Sequence, residues 1–325
     1  MKIVAFCIAS CVGLFMQASA WAADAKPCSL ERAAELPVKN EDGRLLIQVQ
    51  INGRDAWVQV DTGSPFSLIS ARLANALDLR KSEVLPGRAI DAAGKSLKHF
   101  VHIKTLTLGG MTAENQAFLV MGEGDSEERP YDGIFGANFL SAYDVELDIP
   151  HGMMRLFLHN RCEAAPVYWT QDFADVPFAL DASLHMVMTA ALDGKPLRAM
   201  VDTGAGPSFL TAQTARHSFD FDPEAAGLKP DGEQRTGSGA TLAYYKHRFA
   251  TLDIGGVGFR NPELFVIPDK TSRIIREHHS LDSNRLFSET NQEVQLVIGM
   301  HNLARIRAYI AYKDGKIYIS AADAK

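Results

Sequence analysis

The chain has 325 residues, 46% hydrophobic and 22% charged, a balance that excludes collagen-like and disordered classes. That length fits two domains of about 150 residues or one large one. A net charge of −6 argues against a general nucleic-acid binder, which needs a basic face to neutralise phosphates.

Lys2 opens the chain, and Ile3 to Met16 is a mostly apolar run of 14 residues. Ala18-Ser19-Ala20 and Ala20-Trp21-Ala22 offer the small residues that a signal peptidase reads. The run is shorter than the roughly 18 apolar residues that span a bilayer. Residues 1–22 are therefore expected to be an export signal, cleaved after Ala20 or Ala22. The product is expected to be periplasmic or secreted, with no stable membrane insertion. A rival lipobox, Ile8-Ala9-Ser10-Cys11, would acylate Cys11, but apolar sequence continues past it. Of four cysteines, Cys7 and Cys11 leave with the signal. An oxidising compartment then predicts a disulfide between Cys28 and Cys162; two unrelated thiols are the alternative. No cysteine–histidine cluster has metal-ligand spacing, and the neighbours His278 and His279 point to different faces, so no metal is expected.

The elements that follow are mostly strands. Leu45 to Ile51 and Ala56 to Val60 flank Asn52-Gly53, a strong two-residue hairpin signal. A short helix is expected over Ala71 to Leu79, and Tyr143 to Ile149 with Met153 to Leu158 form a closing hairpin. Pro166, Pro177 and a cysteine interrupt the pattern near residues 160–175. The boundary is placed there, with a first lobe over 23–165 and a second over 166–325. In the second, Met186 to Leu192 and Leu197 to Val201 flank Asp193-Gly194, and a short helix is expected over Thr211 to His217. Arg307 to Tyr312 and Lys316 to Ser320 make the last hairpin.

These elements repeat. Val60-Asp61-Thr62-Gly63 is matched by Val201-Asp202-Thr203-Gly204, Thr105 to Met121 by Thr251 to Ile267, and Gly133 to Leu140 by Leu296 to Leu303. The spacing grows from 141 (Asp61 to Asp202) to 146 (Thr105 to Thr251) to 163 (Gly136 to Gly299). Three ordered matches mark a duplicated domain, with extra residues in the second copy, mainly over 270–293. Strands rich in Val, Ile, Leu and Phe with Gly turns suggest one small closed β-barrel per copy.

A lone Asp-Thr-Gly is an ordinary turn sequence. Here it occurs at matching places in both copies, each time after an apolar strand. Each copy also carries an apolar-apolar-Gly segment downstream, Ile134-Phe135-Gly136 and Val297-Ile298-Gly299. That constellation resembles the aspartic peptidases, and the retroviral-type (retropepsin-like) branch more closely than the larger pepsins. The resemblance implies an all-β, pseudo-twofold pair of closed barrel lobes with short helices and a catalytic cleft between them.

It also implies the chemistry. Two aspartates held together share one proton, because like charges prevent both from ionising. One takes a proton from water while the other protonates the carbonyl oxygen of the peptide bond. Asp61 and Asp202 are the implied dyad, acting without metal or cofactor on an extended peptide or protein substrate in a two-lobed monomer. By the same resemblance Gly63 and Gly204 let backbone approach the carboxylates and offer them N–H groups, and Thr62 and Thr203 exchange hydrogen bonds beneath. The apolar-apolar-Gly segments pass behind the loops. Flaps over the cleft would have tips at Asp91-Ala92-Ala93-Gly94 and Thr236-Gly237-Ser238-Gly239, with plain surface hairpins as the alternative.

The halves differ, since Ser64 follows the first motif and Ala205 the second. A Ser64 hydroxyl donating to Asp61 predicts that Asp61 is the more charged and that Asp202 holds the proton. Tyr244 and Tyr245 either line the cleft or sit in the barrel. The 270–293 insertion is read as a solvated charged segment, with a lid as the alternative. A silent peptide- or polymer-binding module on the same fold is the second function class.

Overall fold

The computed structural model describes residues 30–85, 89, 96–123, 129–159, 167–235, 241–268 and 294–322. The expected export signal, Cys28 and Cys162, the flap tips at 91–94 and 236–239 and the 270–293 insertion lie outside the described residues.

Both predicted hairpins form around tight two-residue turns. Ile51 pairs with Arg54 and Leu192 with Lys195. The turn residues Asn52 (φ 50°), Gly53 (φ 79°), Asp193 (φ 48°) and Gly194 (φ 74°) are all left-handed, the conformation that twists with the flanking strands. Each turn then ties to the next long strand. Asn52 Oδ1 accepts the Thr105 N–H at 3.0 Å, and Asp193 Oδ1 accepts the Thr251 N–H at 2.8 Å.

In the first lobe six strands close into a barrel. The order is Arg44–Ile51, Arg54–Val60, Gly133–Phe135, Leu68–Ser70, Met111–Met121 and His99–Leu108. The last returns to the first through Gln50 with Thr107 and Ile51 with Leu106. In the second lobe the corresponding sheet is interrupted, so among the described residues the strand pairing shows one closed barrel, that of the first lobe. The strand matching His99–Leu108 is divided into Thr241–Arg248 and Thr251–Ile254, and its partner into Val257–Arg260 and Glu263–Ile267. Pro262 stands where the first copy has Gln116, and without an N–H it cannot continue the ladder. A shared irregularity lies one residue before, at Asn115 (φ 54°) and Asn261 (φ 51°), where Asn tolerates the left-handed backbone.

The two closing hairpins are present as Asp144–Asp148 with Met153–Phe157, and Ile306–Ala311 with Lys316–Ala321. They do not close separate barrels; they join the lobes. Asp144–Asp148 pairs with Ile306–Ala311 across the pseudo-dyad, with Tyr309 opposite Glu146. With Arg32–Glu41 on one side and Ala174–Pro177 on the other, they form a six-stranded sheet under both lobes. Val145 and Leu147 face a core that runs continuously through both lobes. Asp144, Glu146 and Asp148 face the other way, buried. The Glu146 carboxylate accepts from Arg155 of the first lobe at 2.7 Å and Arg307 of the second at 2.6 Å. This shared ion cluster fixes one lobe against the other.

Helices are short. Ala71–Ala76 starts at Ser70 and Ala212–Phe219 at Thr211, whose hydroxyls accept the Leu73 and Thr214 N–H groups at 3.1 Å. Among the described residues no helix is long and apolar enough to cross a membrane.

Candidate active site

Each Asp-Thr-Gly loop begins where an apolar strand ends. Val60 and Val201 are buried, and the strands that end in them lie parallel to Gly133–Phe135 and Leu296–Ile298. The Asp61 N–H donates to Phe135 O and the Asp202 N–H to Ile298 O, both at 3.0 Å. The apolar-apolar-Gly segments therefore run beside the loops. Gly136 and Gly299 face the Ser64 and Ala205 carbonyls so closely that a Cβ would collide with them. The following N–H groups, of Ala137 and Met300, donate to those same carbonyls at 2.8 Å.

Below the loops the threonines lock the lobes together. The Thr62 N–H donates to Thr203 Oγ1 at 3.0 Å, and the Thr203 N–H to Thr62 Oγ1 at 3.1 Å. Each hydroxyl donates in turn to a carbonyl across the interface, Thr62 to Val201 O at 2.9 Å and Thr203 to Val60 O at 2.8 Å. Both side chains are buried, so every one of these groups is satisfied inside the protein.

The aspartates then meet. The Gly63 N–H donates to Asp61 Oδ1 at 3.0 Å and the Gly204 N–H to Asp202 Oδ1 at 2.8 Å. Each glycine also lies against the carboxyl of the other lobe's aspartate, where a Cβ would overlap Asp202 or Asp61. A family model described as aspartyl protease matches residues 47–139 and 188–302, which contain both motifs and both backing segments.

The chain belongs to the aspartyl protease family. The aspartic proteinase from Irpex lacteus shares its fold with a TM-score of 0.51 at 13% identity, over 89% of this chain and 97% of that one. Basic 7S globulin from soybean does so with a TM-score of 0.50 at 10% identity, over 91% and 96%. No curated protein matches the sequence.

Burial pushes the Asp61 carboxyl well above the usual carboxylate range, and the charge of Asp202 pushes it further. The N–H groups of Gly63 and Ser64 offset this only in part. Asp202 is also raised by burial. It is held down by the Gly204 N–H, by the charge of His185 and by the Ala205 N–H, which donates to Oδ1 at 3.2 Å. The charge of His185 favours the charged form at Asp202, against the order expected from Ser64. The reason lies in the hydroxyl, which donates to Phe66 O at 2.8 Å and not to Asp61.

Three features were not legible as functional. His185 carries no motif, yet it is buried and its Nε2 contacts Gly63 O at 3.0 Å. Gln59 donates its side-chain amide to Gly204 O at 3.4 Å. Ser67 and Ser208 donate to Asn138 and Asn302 and accept the Gly136 and Gly299 N–H groups, bracing each backing segment. Matching serines at Ser67 and Ser208, 141 apart, were the available signal. Of the two tyrosines, Tyr245 packs in a core cluster with Ala212, Ala215 and Val266, and Tyr244 stacks on Phe265 at 3.8 Å. Among the described residues no group of three His, Cys, Asp or Glu side chains could hold a metal ion.

Proposed function

We propose that this aspartic endopeptidase uses Asp202 as base and Asp61 as acid. Asp202 takes a proton from water as the water oxygen bonds to the peptide carbonyl carbon, and Asp61 gives its proton to the carbonyl oxygen. The tetrahedral adduct then collapses: Asp202 gives the proton it took to the departing amine as the C–N bond breaks, and Asp61 takes a proton back from one adduct hydroxyl, which restores the singly protonated dyad. The observation that carries this reading is the meeting of the two carboxyls, each against the other lobe's glycine. One shared proton is the physical consequence.

Finer points belong to the same proposal. Ala205 after the second motif supports placement in the retropepsin-like branch. Lys2 and the apolar run after it support export to the periplasm or exterior, and the duplicated match over both copies supports a two-lobed monomer. Ala93, Gly94, Gly237 and Gly239 are proposed flap tips over an extended substrate. The paired strands Gly232–Arg235 and Thr241–Arg248, on either side of 236–240, support the second of these.

The test is digestion of a mixed peptide library by the purified protein in water enriched in ¹⁸O. Cleavage with one ¹⁸O in each new carboxyl terminus is expected. Intact peptides that stay bound would point instead to a binding module.

A further inference from the structure

The duplication leaves the two catalytic loops in unlike surroundings. The carbonyl of Gly204 faces the neutral amide of Gln59, at 3.4 Å. The carbonyl of Gly63 faces the imidazole of His185, at 3.0 Å. His185 comes from the second lobe, just ahead of the strand Met186–Leu192, so this contact joins one lobe to the other. Its side chain is 2% exposed.

Its protonation follows from its partners. A carbonyl can only accept, so Nε2 carries a hydrogen. Nδ1 lies 3.0 Å from Asp181 Oδ2. Asp181 is held below the ordinary aspartate range by His185 and by the N–H groups of His185 and Ser183, despite partial burial, so it is ionised and needs a donor. Both ring nitrogens therefore donate, which makes His185 an imidazolium. The carboxylate is itself fixed, since Oδ1 accepts the Ser183 N–H at 2.8 Å and the His185 N–H at 3.0 Å. Gly63, the residue His185 grips, lies directly against the Asp202 carboxyl. The counterpart of His185, at the same spacing of 141, is Arg44. Its guanidinium pairs with the exposed Asp42 at 3.9 Å and is 36% exposed, where water screens it.

We propose that His185, charged and clamped by Asp181, is a positioning residue that fixes the Gly63 loop and makes Asp202 the charged half of the dyad. Duplication gave two equal carboxyls, and one buried cation makes them unequal. Among the described residues, the groups that favour the charged ring include Asp181 on its own turn, the Gly63 carbonyl from the first lobe and the Asp202 charge from the second. Burial acts against the imidazolium, and these three outweigh it. The inference rests on the dyad reading above.

The experiment has two arms. In the first, the His185 ring is followed by ¹⁵N-imidazole NMR in the intact protein, assigned by its loss in His185→Gln or, if that variant does not fold, by selective perturbation in Asp181→Asn. Wild type should keep both ring protons to a higher pH than an ordinary histidine. Asp202→Asn should shorten that range, because linkage is reciprocal. In the second arm, His185→Gln retains a donor for Gly63 O but no charge. Its kcat/KM should fall on the order of tenfold relative to wild type on the acid limb, with that limb moved to higher pH and a smaller change at the plateau. An ordinary or neutral ring in wild type overturns the proposal. So does a ring that ignores Asp202→Asn, or a uniform loss of activity in His185→Gln with the pH profile unmoved. Undiminished cleavage by Asp202→Asn would instead overturn the dyad reading, while the NMR arm would still decide whether the charge is present.

Discussion

Gly63 of the first lobe lies flush against the carboxyl of Asp202 in the second, with no room for a methyl group between them. Gly204 stands in the same relation to Asp61. Gly63→Ala must therefore push the carboxyls apart. It should cost about 1–3 kcal/mol of stability and at least about tenfold in kcat. Gly258→Ala, where a Cβ meets open space, should leave both unchanged. Urea unfolding and initial rates on one peptide compare the two.

The threonine lock should depend on the hydroxyl and not on size. Thr62→Val leaves the buried Thr203 N–H and the Val201 carbonyl without their partner. The cost should be about 1–3 kcal/mol for each group left unsatisfied, with a loss of kcat as the dyad loosens. Thr62→Ser keeps both hydrogen bonds and should stay within about 1 kcal/mol of wild type. Denaturation midpoints for the pair of variants separate these outcomes.

Ser64→Ala should leave the acid limb of the pH–rate profile where it is, because the hydroxyl serves Phe66 O. Its stability cost should stay near 1 kcal/mol, the worth of one hydrogen bond. A limb that moves upward would mean that the hydroxyl reaches Asp61 during turnover.

How much of this was readable from the sequence varies with the range of the interaction. Asn52-Gly53 and Asp193-Gly194 announced their hairpins because local backbone sterics demand those residues. The dyad was readable because duplication repeats its motif. The sheet joining the lobes was not, since nothing local tells Leu147 that its partner is Ala308. The direction of the Ser64 hydroxyl and the reach of His185 to Gly63 were equally hidden. Both depend on where a turn places a side chain and not on residue spacing. Pro262 was visible, but its effect on the second barrel required knowing that it faces Phe249, whose N–H donates to the Pro262 carbonyl at 3.0 Å.

The dyad also sets a pH dependence of stability. Both carboxyls bind their proton more tightly folded than unfolded. Their contribution is thus fully present below the ordinary aspartate value, about pH 3.9, and is lost as pH rises through the raised folded values. Asp61→Asn removes that loss. Its Tm should exceed wild type by roughly 2–4 °C at neutral pH, and the gap should close in acid. Calorimetric scans of the two proteins across pH would show it.

Asp61 and Asp202 are proposed to work as one unit, each in a role that needs an ionisable group. The most direct measurement is kcat/KM on a single well-cleaved peptide for wild type, Asp61→Asn and Asp202→Asn, each confirmed folded by circular dichroism. The dyad predicts that each substitution alone removes at least about a hundredfold of the activity and that the double variant is scarcely worse than either, because the two act together. Cleavage within a few-fold of wild type by either single variant would contradict it.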